Sequence, residues 1–156
     1  MTDVRDSLQP LVIVPCGGRK LTVPAPAGQL YTGSYHRACR RAAAGLTGPG
    51  RILILSALHG LLPLDRVIGP YELRMGQPGS ITPVELRRQA EQLHLVDEPQ
   101  VIILGGRAYS AAALTVWPAA ATPLAGAGGL GYQLALLAGI AQSSASAGVS
   151  YVGVCR

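Results

Sequence analysis

Residues 11–20, LVIVPCGGRK, pass from an unbroken apolar stretch, Leu11–Pro15, directly into two glycines and two cations. A strand with one wet face alternates apolar and polar residues. An unbroken run instead marks a strand buried on both faces, as in a parallel sheet covered by helices. The pattern recurs at Arg51–Ala57 (RILILSA), followed by His59-Gly60, and at Val101–Leu104 (VIIL), followed by Gly105-Gly106. Ser150–Cys155 (SYVGVC) and Ala119–Leu124 are expected to add shorter strands.

Helical signals fill the intervals. Ser34 can cap a helix to about Ala44, with its arginines along one side. Thr82-Pro83-Val84-Glu85 combines an N-cap, a first-turn proline and a capping-box glutamate, and predicts a helix to about Leu95 with His94 at its end. Arg107–Val116 and Leu130–Gln142 complete the set. Strand, loop and helix in this order predict an α/β fold. The expected form is a three-layer single domain over residues 1–156 with a mostly parallel central sheet, residues 1–9 being a flexible N-terminal segment. Thr22–Gly28 and Leu61–Ser80 read as long Pro- and Gly-rich connections, which in a compact domain are more often functional than idle.

Composition agrees. With 49% hydrophobic and 13% charged residues, the 156-residue chain has the core of a folded domain and not the make-up of a disordered one. It has no Phe and a single tryptophan, Trp117, so the core must be built of small aliphatics. The net charge of +5 favours anionic partners. Cys16, Cys39 and Cys155 are odd in number and lack ligand spacing, so neither a disulfide framework nor a metal site is expected, and a reducing, cytoplasmic setting is. Neither a signal peptide nor a run long enough to span a membrane is evident. Without a Walker loop or a dinucleotide fingerprint, no cofactor is expected.

Ligands of open α/β sheets bind beyond the carboxyl ends of the strands. There Gly17 and Gly18 can turn backbone N–H groups toward an anion, with Arg19 and Lys20 adding charge. The alternative is a tight turn with solvated cations. Cys16 is either a nucleophile whose thiolate these cations stabilise, or a small buried residue at a strand end. Tyr31, Ser34 and His36 bring hydroxyls and an imidazole to a helix start, where they can bind phosphate or a base edge or simply cap the helix. His59 follows the second strand and titrates near neutrality; Asp65 and Glu72 supply carboxylates and Tyr71 a ring for base stacking. Arg107 follows the glycines after the third strand and can hold an anion bidentately.

Together, VPCGGRK, LYTGSYHRA and ILSALHGLLPLDRVIGPYE resemble a family of small uncharacterised bacterial and phage domains. That family is distantly similar to the peroxide-stress protein YaaA and to the core domain of archaeosine synthase. Pro15, Cys16 and Lys20 match the Pro-Cys-Ser…Lys motif of the synthase, with Gly17 in place of its Ser. Ser34 and His36 match its Ser-x-Ser-His element, after a longer gap. The resemblance implies handling of nucleobases, nucleotides or nucleic acid in modification or damage response. On this reading the catalytic set is His59, Asp65, Glu72 and Cys16. The binding set is Gly17, Gly18, Arg19, Lys20, Tyr31, Ser34, His36, Tyr71 and Arg107, acting in base transfer or N-glycosidic chemistry. A non-catalytic DNA- or RNA-binding module and a phosphometabolite sensor are the alternatives.

Overall fold

The computed structural model describes residues 9–147, so the strand expected at Ser150–Cys155, residues 1–8 and Cys155 lie outside the described residues. The chain runs β1 (Leu11–Pro15), β2 (Ala25–Pro26), α1 (Ala27–Leu30), α2 (Ser34–Leu46), a 3₁₀ turn (Pro49–Arg51) and β3 (Ile52–Ser56). It continues with β4 (Gly60–Pro63), β5 (Val67–Ile68), α3 (Pro83–Gln92), β6 (Val101–Ile103), α4 (Arg107–Leu114) and α5 (Leu130–Ala147). The central sheet has the order β4-β3-β1-β6, with β3 and β6 parallel to β1 and β4 antiparallel at the edge.

Burial of both faces explains the unbroken apolar runs. Leu11, Ile13, Leu53, Leu55, Val101 and Ile103 point to one side, where Leu86 and Ala90 of α3, Ala113 of α4 and Trp117 cover them. Val12, Val14, Ile52, Ile54, Ile102 and Leu104 point to the other, against Ala38, Cys39, Ala42 and Ala43 of α2 and Leu137 of α5. The result is a three-layer α/β domain. The small residues of α2 let it lie close to both the sheet and α5. Trp117 also donates its indole N–H to the Leu95 carbonyl at 2.8 Å, anchoring the end of α4 to the segment after α3.

Several elements depart from expectation. The segment read as one long connection after Leu61 begins with β4, and β5 within it pairs antiparallel with β2 in a two-stranded ribbon. The reversal at Ala57–His59 depends on Gly60 (φ +76°), where a Cβ would run into the side chains of Gln89 and Ile81. Gln89 clamps this turn: its Oε1 accepts from Leu61 N at 2.8 Å, and its Nε2 donates to His59 O at 2.8 Å. The strand expected at Ala119–Leu124 reduces to one parallel bridge between Ala121 and Ile102, bounded by Pro118 and Pro123.

Helix ends differ too. The N-cap of α2 is Gly33, and Ser34 is its first helical residue and makes no capping bond. The capping box of α3 forms as read, Glu85 N donating to Thr82 Oγ1 at 3.2 Å and Thr82 N to Glu85 Oε2 at 3.0 Å. That helix stops at Gln92 because His94 turns left-handed (φ 58°), so that Leu95 N reaches Ala90 O at 2.9 Å and His94 N reaches Glu91 O at 3.0 Å. At the amino ends of the strands, Gln9 accepts from Gly48 N through its side chain and from Arg51 through its carbonyl. Arg51 also forms a bidentate, largely buried pair with Glu98 at 2.9 and 2.6 Å.

Because β3 and β6 flank β1 on opposite sides, the chain leaves β1 in one direction and returns on the other. The crevice beyond the carboxyl ends of β1 and β6 is therefore the topological switch point, the place where open α/β sheets receive ligands.

Candidate functional site

At that crevice β1 extends one residue further, Cys16 N donating to Leu55 O at 3.0 Å, before Gly17 and Gly18 turn the chain. Residues 19–21 then run antiparallel to 30–32: Leu21 N donates to Leu30 O at 2.9 Å and Thr32 N to Arg19 O at 2.9 Å. The glycine turn is thus held from both sides. Around it opens a cavity of about 720 Å³, within the size range of small-molecule sites. It is lined by Cys16–Arg19, by Gly33–His36 at the start of α2, by Arg74 and Met75, and by Ala108 and Tyr109 in the first turn of α4. Two arginines, Arg19 and Arg74, are among its lining residues, and no Asp or Glu is.

The polar groups here are strongly constrained. Cys16 Sγ lies 3.0 Å from Tyr109 Oη. His36 is buried, and its Nδ1 meets the Pro15 carbonyl at 2.7 Å; a carbonyl only accepts, so Nδ1 carries the hydrogen. Burial lowers the His36 pKa to about 4, so the ring is neutral near pH 7, and Nε2 presents a lone pair with no protein partner. Burial likewise pushes the Tyr109 phenol above its ordinary range, leaving it a hydrogen-bond donor.

Next to the cavity runs a second network. Ser56 Oγ accepts from Leu58 N at 3.2 Å and His59 N at 3.0 Å, which occupies its lone pairs. Its own hydrogen therefore goes to Tyr71 Oη at 2.7 Å, and Tyr71 donates onward to Tyr31 Oη at 2.6 Å. Burial raises the pKa of Tyr31 to about 12 and that of Tyr71 further, so both phenols stay protonated. The Lys20 ammonium sits 4.4 Å from the centroid of the Tyr71 ring and 5.6 Å from that of Tyr31.

Of the residues singled out from sequence, Cys16, Gly17, Gly18, Arg19, Ser34 and His36 line the cavity together. Lys20, Tyr31 and Tyr71 stand in the adjoining network. Tyr71, expected to offer its ring to a base, carries Lys20 on that ring and meets the His59 ring edge-on at 5.5 Å. His59 lines a separate hollow of about 250 Å³ with Arg66, Gln89 and Gln92; partial burial and then the Arg66 charge lower its pKa. Glu72 is exposed beside Tyr71, and Arg107 is exposed at the start of α4, which leaves the lining to Ala108 and Tyr109.

Asp65 does not join the others. The antiparallel return of β4 carries it to the opposite end of the sheet, into a hollow with Leu11, Ile52 and Leu53 at the amino ends of β1 and β3. Conversely, Arg74, Met75, Tyr35 and Tyr109 line the cavity without having been selected from sequence. Tyr109 was findable, two residues into the helix after a Gly-Gly turn; Arg74 and Met75 come from a stretch with no periodic signal. Among the described residues no cluster of His, Cys, Asp or Glu is placed to hold a metal, and no helix is long and apolar enough to cross a membrane.

Comparison with known proteins matches the span that holds this site. The chain is 34% identical over 139 residues to the uncharacterized protein YfjM of Bacillus subtilis (strain 168), an alignment covering 81% of this chain and 91% of that one. No solved structure matches. A family model described as a family of unknown function, DUF6884, matches residues 11–139, from the first residue of β1 into α5 and across every residue that lines the cavity. The chain belongs to the DUF6884 family.

Proposed function

We propose that the cavity at the switch point binds a nucleobase or nucleotide, and that the chain acts on it by base transfer or N-glycosidic chemistry in nucleic-acid modification or damage response. The observation that carries this reading is the lining itself. Two arginines and no carboxylate residue among the lining suit phosphate, while Met75 and Tyr109 offer an apolar wall to a planar base. The resemblance of the Cys16–Lys20 and Tyr31–His36 stretches to archaeosine synthase, and of the whole to YaaA, points to the same substrate class.

The chemistry follows from the donors present. As the bond from C1′ to the base nitrogen breaks, Tyr109 O–H gives its proton to the departing base. Water or an incoming base bonds to C1′, and the proton that it sheds returns to the Cys16–Tyr109 pair. Arg19 and Arg74 hold the phosphate still during the exchange. Stress response and a cytoplasmic setting belong to the same proposal.

A thermal-shift screen against nucleobases, nucleosides and nucleotides tests the binding half. Stabilisation by one of them that is lost in Arg74→Ala supports the reading. Silence across the panel removes it.

A further inference from the structure

On the far side of His36 from the switch-point cavity, α2 presents Arg37, Arg40 and Arg41, spaced so that they share one face. With Gly28, Tyr31 and His36 they line a hollow of about 400 Å³. The arrangement is built rather than incidental. Arg40 is partly buried and lies across the backbone of α1, its Nη1 donating to Gly28 O at 2.7 Å. A Cβ at Gly28 would stand 2.9 Å from that nitrogen and 3.2 Å from Leu64 O, so glycine is what lets the guanidinium lie there.

Among the described residues no carboxylate pairs with the arginines of this hollow. The ion pairs among the described residues are Arg51–Glu98 and Arg87–Glu91, neither of which involves α2. Arg40 Nε is enclosed with no partner, and His36, which lines both hollows, leaves its Nε2 in the same state. Like charges gathered on one helix face, one of them partly desolvated, call for an anion. Guanidinium forks match the oxygens of a phosphodiester.

A mononucleotide has its phosphate served by Arg19 and Arg74 on the other side of His36. A second anion site sharing that wall suits a ligand with charge on both sides. We infer that the Arg37–Arg40–Arg41 hollow seats a backbone phosphodiester of a polynucleotide whose base occupies the adjoining cavity. This rests on the proposed base-binding role and makes the substrate a polymer.

Fluorescence anisotropy with a short single strand built of abasic residues isolates the phosphates from the bases. Arg37 and Arg41 are exposed, so the Arg37→Ala/Arg41→Ala protein should fold normally, as its thermal midpoint will report. The double variant should bind the abasic strand about tenfold more weakly at about 0.1 M salt, and its slope of log K against log salt should be shallower by about 0.7, for one phosphate on a single strand. Its affinity for a nucleoside monophosphate should stay unchanged. An abasic strand that fails to bind the wild-type protein, or that binds the double variant equally well, overturns the inference. So does an oligoglutamate peptide of equal charge that binds as tightly and with the same arginine dependence. If monophosphates fail to bind while the abasic strand keeps its arginine dependence, the phosphodiester seat stands and the base-binding role falls.

Discussion

Replacing Tyr71 with Phe keeps the ring under Lys20 but removes the hydroxyl that joins Ser56 to Tyr31. Both flanking residues are buried, Ser56 at 0% exposure and Tyr31 at 2%, so water cannot readily take the place of the lost oxygen. Leaving a buried hydroxyl unpaired costs roughly 1–3 kcal/mol, so two of them put Tyr71→Phe at about 2–4 kcal/mol after relaxation. Tyr31→Phe removes only the far end of the chain and leaves one hydroxyl hydrogen, that of Tyr71, without its acceptor, so its cost should be about 1 kcal/mol.

The two changes should not add. In the Tyr71→Phe background the Tyr31 hydroxyl is an orphan, and removing it there should be neutral or stabilising. Urea denaturation of the four proteins in this cycle reads the result. For a slope of about 2 kcal/mol/M, Tyr71→Phe lowers the midpoint by about 1–2 M with the slope unchanged. Equal costs for the two single variants, or simple additivity in the double, would refute the direction assigned to the hydrogen-bond chain.

Three further outcomes are expected. His94→Gly should stabilise the fold by about 0.5–1 kcal/mol in the same assay, since glycine relieves the left-handed backbone that ends α3. Glu98→Ala strips the carboxylate from the largely buried Arg51 and should cost about 3 kcal/mol, and Glu98→Leu combined with Arg51→Met should cost less. His36 has a folded pKa of about 4 against an ordinary 6.5, so the unfolded chain takes up a proton that the folded chain refuses. The stability that His36 contributes by staying neutral is therefore intact above about pH 6.5 and is lost as pH falls toward 4, by up to about 3 kcal/mol. His59, whose pKa is also lowered, slopes the same way, so the readout is the flatter profile of His36→Gln relative to the wild-type protein.

The three parallel strands were legible because burial on both faces leaves one sequence trace, the unbroken β-branched run, and each ended within a residue or two of where that run ended. β4 was not. Leu61 and Leu62 look like the start of a Pro-rich loop, and what makes them a strand is the Gln89 side chain arriving from α3, a contact with no local signal. Missing β4 also misplaced Asp65, since one antiparallel return moves a residue to the other end of the sheet. The site followed the same logic. Cys16, the glycines, Arg19 and His36 sit next to elements that their own residues define. Arg74 and Met75 reach the cavity along a path set by tertiary packing, and the Lys20 ammonium was drawn from the cavity to the Tyr71 ring.

The place where a nucleotide binds is the most direct test of the proposed site. Titrating a nucleoside monophosphate into isotopically labelled protein and following backbone amide shifts would locate it directly. Shifts confined to Cys16–Arg19, Ser34–His36, Arg74–Met75 and Ala108–Tyr109 are the expected result. Shifts gathered instead at Leu11, Leu53 and Asp65, or no shifts at saturating ligand, would contradict it.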